Sequence, residues 1–352
     1  MAFCANWFRR YTPNVQFRAH GPGRVNLIGE HTDYNGGLAL PFAVARGVTV
    51  TAETLAGGMI EVEARDLGES DSFSLDGLER AEGWRAFPRG VVAELADAGF
   101  TVAGVRLTIE GDLPRGAGLS SSAALSTALS LALLGANDRM DRVELARLCS
   151  RVENDWVGAQ TGLLDQLAAL MSREGHALLI DFDRLGLTHV PLELGGWTLA
   201  TLDSGASHDL ATSGYNERRE ECTQARELLR ATSLSHATEA EAAGLPDPLD
   251  RRVLHVLREN ARVLEAADAL RGGELAPLGP LLDASHASLR DLYEVSTPEL
   301  ERTVEQMKTA GAVGARVVGG GFGGSVLGLF PPGAEPPAGA LVAEPGPPAR
   351  IV

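Results

Sequence analysis

A helix that is apolar on nearly every side constrains the fold of this chain most strongly. Residues 120–134 combine Ala, Ser, Leu and Thr with no charged side chain, and this composition predicts a helix without a solvent-exposed face. A strand-like alternation precedes it at residues 105–110. We therefore expect a buried helix inside a fold that mixes helices and strands.

The glycine- and serine-rich stretch before this helix predicts an anion-binding site. It reads LPRGAGLSSSAAL and occupies residues 113–125. Gly116 and Gly118 remove side chains where the backbone must approach a partner closely, and three serines stand where the first helical turn exposes unpaired N–H groups. Small hydroxyls add donors without bulk, so phosphate is the expected anion. Taken alone, the stretch also fits a serine N-cap on a closely packed helix.

A dense group of polar side chains lies near the N-terminus, in GRVNLIGEHTDYNGG at residues 23–37. An arginine, two carboxylates, an imidazole and an amide surround the apolar run at residues 25–28. A turn needs fewer hydrogen-bonding side chains than this, so the stretch favours a ligand-binding segment. A polar turn after a strand is the alternative that the stretch alone leaves open.

Two carboxylates flank a predicted break between helices at residues 158–162. Glu153 lies on the helix before the break, and Asp165 opens the helix after it, where the helix dipole favours the ionised carboxylate. Magnesium on nucleotide phosphates needs one or two protein oxygens. Glu153 and the Ser122 hydroxyl could supply them and leave Asp165 for an acceptor substrate. A solvated helix face for Glu153 and an N-cap for Asp165 are the alternatives.

A second glycine-rich stretch, GGGFGG at residues 319–324, formally matches the GxGxxG pattern. It stands between two predicted strands near the C-terminus and not between a first strand and a helix, so its context excludes a dinucleotide site. A glycine-rich turn packed against a ligand or another backbone is favoured, with a flexible hairpin as the alternative.

Hydrophobic periodicity and the residues typical of helix and strand ends predict the other main elements. The expected helices cover residues 83–99, 141–157, 215–230, 249–270 and 298–310, with one more from about residue 164. The expected strands cover residues 47–55, 105–110, 176–182, 197–204, 314–318 and 325–330. From residue 331 the chain is rich in Pro and Gly, which predicts a loosely held tail with one possible short strand.

Length and charge limit the class of protein. A chain of 352 residues suits two domains that share a cleft. The net charge is −16 and there is no basic run, which argues against nucleic-acid and anionic-membrane partners. Lys308 is the only lysine, so a phosphate loop of the GxxxxGK[ST] type is excluded.

Cysteine usage and hydropathy favour a cytoplasmic protein. Cys4, Cys149 and Cys222 are far apart and lack CxxC spacing, so neither a disulfide framework nor a cysteine zinc site is expected. The first ten residues lack the apolar core of a signal peptide. The most apolar stretch, residues 123–136, is shorter than a membrane span.

Taken in this order, the stretches closely resemble the GHMP kinases and, within that family, the galactokinases. GRVNLIGEHTDYNGG resembles the galactokinase signature, LPRGAGLSSSAAL the family's ATP-phosphate loop, and ARVVGGGFGGSVLGL its third, glycine-rich motif. TGLLDQ, HALLIDF, SGYNERREEC and SHASLRDLYEVSTPEL extend the resemblance over about residues 17–330. The sequence departs from the family at three positions. Val318 replaces the usual threonine, Ser126 a common glutamate, and Leu292 an acid. The first departure could alter a contact in the active-site loop.

The resemblance implies an α+β fold with two lobes and an active site in the cleft between them. The N-terminal lobe, residues 1–194, would contain a mixed sheet, the phosphate loop and most of the sugar contacts. The C-terminal lobe, residues 195–352, would contain a four-stranded antiparallel sheet with helices. The expected reaction is transfer of the ATP γ-phosphate to the anomeric hydroxyl of galactose. Another sugar, such as N-acetylgalactosamine or arabinose, and a non-catalytic sensor of sugar and ATP are the alternatives.

The same resemblance implies the residues of the site. The sugar site would comprise Arg24, Glu30, His31, Asp33, Gly162, Asp165 and Tyr215. The nucleotide would bind to Gly116, Ala117, Gly118, Leu119, Ser120, Ser121 and Ser122. Mg²⁺ would bind to Ser122 and Glu153, and Asp165 and Arg24 would be catalytic. Whether Arg24 acts mainly on Asp165 or on the phosphoryl group stays open, as does the choice between a monomer and a weak oligomer.

Overall fold

The computed structural model describes residues 15–114, 118–159, 161–206 and 214–352. Of the predicted site residues, Gly116 and Ala117 lie outside the described residues. The strands are β1 (Gln16–Asn26), β2 (Leu38–Ala39), β3 (Pro41–Thr54), β4 (Met59–Ala64), β5 (Glu69–Ser74), β6 (Val105–Gly111), β7 (His176–Asp181), β8 (Gly186–Pro191), β9 (Thr198–Asp203), β10 (Gly314–Val318), β11 (Ser325–Phe330), β12 (Leu341–Val342) and β13 (Arg350–Ile351). The helices are α1 (Ala86–Asp97), α2 (Ser121–Leu134), α3 (Arg142–Arg151), α4 (Leu164–Met171), α5 (Gly214–Leu229), α6 (Glu239–Ala242), α7 (Leu249–Arg271), α8 (Leu278–Asp291) and α9 (Pro298–Thr309).

Five strands from the first half of the chain and β13 from its end build a six-stranded mixed sheet in the order β13-β1-β3-β6-β4-β5. β4 and β6 pair in parallel, and the other neighbours are antiparallel. Helix α2 packs against β1 and β3 with its small and aliphatic side chains in the core, as its composition predicts. Gly21 permits this close packing, because a β-carbon there would stand 2.1 Å from the Ala124 carbonyl oxygen.

The second half builds a four-stranded antiparallel sheet in the order β10-β11-β9-β12. α8 and α9 pack against this sheet, and α5, α6 and α8 contact the long helix α7. Thr297 begins α9 as predicted, since its side chain accepts a hydrogen bond from the Leu300 N–H and Pro298 occupies the first turn. The α+β class with one mixed sheet and one four-stranded antiparallel sheet is therefore confirmed.

A third, three-stranded antiparallel sheet, β2-β7-β8, lies beside these two sheets. Helix α7 contacts β2 and β8, so elements from both halves of the chain enclose a common core. That core includes Leu27 and Ile28 from the predicted apolar run, together with Val263 of α7 and Leu327 of β11. The polar residues that follow the run are thus attached to a fully buried segment.

The end of the chain differs from the expected loose tail. β12 pairs with β9, whereas β13 returns to the six-stranded sheet and pairs with β1. Ala343 and Ala349, which adjoin these short strands in sequence, are buried in the hydrophobic cores. Two-residue strands are too short to give an alternation that a sequence pattern can reveal. The boundary between residues 194 and 195 stays a prediction, and it falls between β8 and β9.

No helix in the described ranges combines the length and the apolar character that a membrane span requires.

Candidate active site

One cleft with a cavity volume of about 200 Å³ brings most of the predicted site residues together. The predicted residues that line it are Arg24, Glu30, His31, Asp33, Gly118, Leu119, Ser120, Ser121, Ser122, Gly162, Asp165 and Tyr215. The third motif lines it as well, through residues 318–320, 323 and 324. Glu153 is the one predicted residue of the described ranges that is not in this lining. The predicted sugar-binding motif (residues 23–37), the predicted phosphate loop (residues 113–125) and the third motif therefore meet in one place.

The start of α2 forms one wall of the cleft. Ser120 is the N-cap of α2 and has a φ of +56°, and Gly118 has a φ of +66°. These left-handed conformations turn the chain sharply before the helix, so the first-turn backbone N–H groups are available to an anion. The hydroxyl of Ser120 donates a hydrogen bond to Asp165 Oδ2, which connects this wall to the start of α4.

Asp165 is held on its other side by Arg24. Arg24 Nε lies 2.6 Å from Asp165 Oδ1, and Arg24 Nη1 donates to the carbonyl oxygen of Gly118 over 2.7 Å. Burial opposes the charge on this guanidinium, but Asp165 and Glu30 outweigh that effect and raise the pKa of Arg24 above its usual value. The arginine thus keeps a fixed positive charge beside the carboxylate and beside the turn that precedes α2.

Asp33 lines the same cleft as Asp165. Burial raises the pKa of Asp33 to about 6, and the negative charge of Asp165 adds to this effect. Gly162 lies against the same carboxylate, because a β-carbon at residue 162 would stand 1.8 Å from Asp33 Oδ2. Only glycine fits at this position, which gives a physical reason for the predicted place of Gly162 in the site.

His31 is neutral and is bonded through both ring nitrogens. Burial lowers the pKa of His31 to about 3. Nε2 lies 3.2 Å from the carbonyl oxygen of Gly320 and Nδ1 lies 2.8 Å from the Tyr34 hydroxyl. Since a carbonyl can only accept, these contacts assign the proton to Nε2 and make Nδ1 the acceptor.

A series of buried, hydrogen-bonded hydroxyl and thiol groups extends from His31. The sequence analysis did not predict it. The Tyr34 hydroxyl lies 3.1 Å from that of Tyr293, which in turn lies 2.9 Å from the Cys222 sulfur. The Tyr293 ring also packs 4.6 Å from the His31 ring, between centroids. Both Tyr293 and Cys222 belong to stretches that resemble the family, RDLYEVS and SGYNERREEC, and that membership was the one available signal.

Glu30 is also held from the C-terminal half of the chain. Its Oε1 accepts a hydrogen bond from the Gly319 N–H over 2.8 Å and forms an ion pair with Arg316 Nη2 at 3.0 Å. Arg316 was absent from the predicted site. It stands in β10 only three residues before the lining glycine Gly319, and this proximity in sequence could have indicated it.

The surroundings of Glu153 fit a cation. Glu153 is buried in the π-helical turn Val152–Val157, where its Oε2 accepts from the Thr161 hydroxyl over 2.9 Å. Glu153 Oε1 forms no hydrogen bond with any of the described residues, although the side chains of Ser122 and Gln166 are near enough to favour the charged form. Burial and the charge of Asp165 raise the pKa of Glu153 to about 7. A buried carboxylate oxygen without a donor, next to a second carboxylate, suits a hard cation such as Mg²⁺.

Comparison with known proteins places this geometry in a family. The family model for the GHMP kinases N terminal domain matches residues 86–173, and that for the GHMP kinases C terminal domain matches residues 266–342. The galactokinase galactose-binding signature matches residues 6–54. The chain is 40% identical over 319 residues to a galactokinase from Thermotoga neapolitana, covering 90% of each protein. It is 43% identical over 330 residues to one from a Roseiflexus species, covering 90% of this chain and 83% of that protein.

Solved structures agree with the sequence matches. Lactococcus lactis galactokinase complexed with galactose superposes with a TM-score of 0.88 at 32% identity, covering 96% of this chain and 95% of that chain. The mevalonate kinase from Methanococcus jannaschii, at 19% identity and a TM-score of 0.64, shares the fold alone. Fold and cleft together define an ATP-dependent small-molecule kinase of the GHMP type. The chain belongs to the galactokinase family, the sugar kinases of this type that carry the galactose-binding signature.

Proposed function

We propose that the protein transfers the γ-phosphate of ATP to the anomeric hydroxyl of galactose and releases galactose 1-phosphate and ADP. One observation carries this proposal. Asp165 lies in a single cleft between the acids of the sugar-binding motif and the N-terminus of α2, with Arg24 bonded to one oxygen and Ser120 to the other. The similarity to a galactokinase solved with galactose supports the choice of sugar.

The sugar is proposed to bind among Glu30, His31, Asp33 and Tyr215, with Gly162 admitting Asp33. Each carboxylate can accept hydrogen bonds from two neighbouring hydroxyls. Glu30 and Asp33 together can therefore select a hexose by the directions of its hydroxyl groups. An epimer with one hydroxyl inverted leaves a buried polar group unpaired and is rejected. His31 would have to exchange one of its two protein hydrogen bonds in order to bond a sugar hydroxyl.

Asp165 is proposed to accept the proton of the anomeric hydroxyl. As the anomeric oxygen bonds to the γ-phosphorus, the bond from that phosphorus to the bridging oxygen breaks and its electron pair leaves with ADP. A carboxylate is too weak a base to deprotonate a sugar hydroxyl beforehand, so the proton moves late in a loose transition state. Positioning then supplies much of the rate, up to roughly 7–11 kcal/mol in favourable cases. The Ser120 hydroxyl, bonded to Asp165 Oδ2, is proposed to give way to the sugar hydroxyl.

Arg24 is proposed to keep Asp165 oriented and ionised. Its Nε is bonded to Asp165, and its Nη1 is bonded to Gly118 in the turn before α2. The guanidinium therefore lies between the acceptor oxygen and the phosphate loop, where it can also stabilise charge that develops during transfer. The hydrogen bond to Asp165 supports a direct action of Arg24 on the carboxylate. The position of Arg24 beside the phosphate loop supports an action on the phosphoryl group as well.

The nucleotide phosphates are proposed to lie over residues 116–122 at the start of α2. With a single lysine in the whole chain, backbone N–H groups and the hydroxyls of Ser120, Ser121 and Ser122 form the main cradle. Ser122 and Glu153 are proposed to hold Mg²⁺, which would offset the charge of the β- and γ-phosphates. The ATP requirement and the free thiols Cys149 and Cys222 favour a cytoplasmic protein, with galactose and ATP as its ligands and no nucleic-acid or membrane partner.

A panel of sugars tests the proposal. Purified protein is incubated with MgATP and galactose, glucose, N-acetylgalactosamine or arabinose, and ADP release is measured for each. The proposal expects galactose to give the highest kcat/KM and a product phosphorylated on the anomeric oxygen, which ³¹P NMR identifies. If another sugar is turned over faster than galactose, that sugar is the substrate and the proposed choice of galactose is wrong. Galactose binding by calorimetry without any ADP release would instead indicate a sensor.

A further inference from the structure

Arg316 places a buried positive charge directly behind the sugar-binding motif. It lies in the middle of β10 and has no exposed surface. Its Nη1 donates to the carbonyl oxygens of Asn26 and Leu27, over 2.9 Å and 3.0 Å, at the end of β1. Its Nη2 lies 3.0 Å from Glu30 Oε1. A side chain from the C-terminal half is thus anchored at the strand end from which the sugar-binding motif begins.

Glu30 is the carboxylate in contact with this guanidinium. The other buried acid nearby, Glu259, is engaged elsewhere: its Oε1 accepts from the Gly29 N–H and the Ser285 hydroxyl, and its Oε2 pairs with Arg262. A buried ion pair adds little net stability compared with a well-packed apolar pair, because desolvation of both charges offsets their attraction. A contribution to geometry is therefore the better explanation of this pair.

The pair fixes which oxygen of Glu30 is available to a ligand. Oε1 accepts from the Gly319 N–H in addition to its contact with Arg316. Oε2 accepts no hydrogen bond from any residue in the described part of the chain, and Glu30 lines the cleft. Arg316 in β10 and Gly319 directly after β10 therefore both contact the same oxygen. The second oxygen is left to face a ligand.

We propose that Arg316 is a positioning residue that sets the sugar selectivity of the cleft by orienting Glu30. This inference rests on the proposed function, because it requires that Glu30 bind the sugar. Without Arg316, the Glu30 carboxylate keeps one backbone donor and can rotate about its side-chain bonds. Its free oxygen then no longer has a fixed direction, and discrimination between sugar epimers weakens more than ATP binding does.

The test compares Arg316→Met and Arg316→Lys with Glu30→Gln and with the double variant Glu30→Gln/Arg316→Met. Lysine keeps the charge but cannot bridge two carbonyls and a carboxylate at once. Arg89→Met is the matched control, since Arg89 is largely buried and pairs with Asp71 through Nη2 at 2.9 Å, outside the cleft lining. For each variant we measure thermal unfolding, the KM for galactose and the KM for ATP. We also measure the ratio of kcat/KM for galactose to kcat/KM for glucose.

We expect both Arg316 variants to raise the galactose KM roughly 10–100-fold, the range of one charged hydrogen bond, and to lower the galactose-to-glucose ratio. The ATP KM should change less than about threefold, and the double variant should be no worse than Glu30→Gln. Arg89→Met should lose thermal stability without a change in that ratio. If Arg316→Met fails to fold, Arg316→Lys and calorimetric binding of galactose decide the question.

Two results have separate meanings. If Glu30→Gln raises the galactose KM while the folded Arg316 variants behave like Arg89→Met, the positioning inference is overturned and the proposed function stands. If Glu30→Gln leaves the galactose KM and the epimer ratio unchanged, Glu30 does not bind the sugar, and the proposed sugar site is wrong together with the inference.

Discussion

Gly162 and Asp33 approach so closely that a β-carbon at residue 162 would stand 1.8 Å from the Asp33 Oδ2 atom. The two residues come from distant parts of the chain, one before β2 and one before α4. Their contact brings the sugar-binding motif against the segment that carries Asp165. The absence of a side chain at residue 162 therefore lets the segment of Asp165, the proposed base, pack against Asp33, which is proposed to bind the sugar.

Gly162→Ala should displace Asp33 and reduce galactose kcat/KM by at least about tenfold, because loss of a charged hydrogen bond costs roughly 1.5–3 kcal/mol. The KM for ATP should stay within about threefold of the wild-type value. Steady-state kinetics with each substrate varied separately measure both effects. Gly58→Ala is the control, since a β-carbon at residue 58 meets no atom within 4 Å. Equal galactose kinetics in the two variants would contradict the assignment of Asp33 to the sugar site.

The raised pKa of Asp33, about 6, links sugar binding to stability. For an acid whose pKa is higher in the folded state, the favourable contribution is full below the unfolded value and disappears as pH rises through the folded value. Above pH 6 the ionised carboxylate therefore destabilises the fold. Asp33→Asn removes this cost and should be more stable than the wild type at pH 8 by about 1–2 kcal/mol, after allowance for solvent in the cleft.

The stability gain of Asp33→Asn should shrink towards pH 4, where the wild-type carboxyl is also neutral. Galactose affinity should fall at every pH, and the galactose KM of the wild type should rise as pH decreases below about 6. Chemical denaturation at several pH values and calorimetric titration measure these effects, with the exposed residue Asp97 changed to Asn as the control. A pH-independent stability difference would contradict the assigned cause.

Much of the fold was predictable because it depends on local patterns. The predicted helix starts at residues 120 and 141 lie within one residue of the observed starts of α2 and α3, and the Asp141 side chain caps α3. The predicted helix at residues 141–157 differs at its end, where α3 gives way to the π-helical turn Val152–Val157. Such turns occur frequently at functional sites, and here the turn contains the buried Glu153. Helix α8 was missed, since Pro280 in its first turn obscures the helical signal.

The site could be predicted where the residues occur in one compact motif. Arg24, Glu30, His31 and Asp33 lie within ten residues of one another in sequence. Arg316 lies close in sequence to the third motif, but its contact with the first motif could not be predicted, because its partner carbonyl at Asn26 is 290 residues distant. The chain from His31 through Tyr34 and Tyr293 to Cys222 likewise joins four positions whose proximity only the folded structure reveals.

Asp165→Asn should retain the fold and nearly all ATP affinity while it lowers kcat by roughly 10²–10⁴-fold, the usual contribution of a general base. The amide oxygen can still accept from Arg24, and the amide NH2 group can donate to the Ser120 hydroxyl oxygen, so the surrounding geometry is largely kept. ADP release and calorimetric ATP binding measure the two effects. A variant with kcat near the wild-type value would show that Asp165 is not the base.

Glu153→Gln should raise the Mg²⁺ concentration that gives half-maximal activity, by roughly tenfold, because a neutral amide is a weaker ligand for a hard cation. The hydrogen bond from Thr161 to residue 153 can persist in this variant, so its thermal stability should remain within a few degrees of the wild-type value. Activity is titrated with Mg²⁺ at fixed ATP, and Glu144→Gln, on the exposed face of α3, is the matched control. An unchanged Mg²⁺ dependence in a folded Glu153→Gln variant would show that Glu153 is not part of the proposed cation site. A shift in the Mg²⁺ dependence of Glu153→Gln but not of Glu144→Gln would support Ser122 and Glu153 as the ligands.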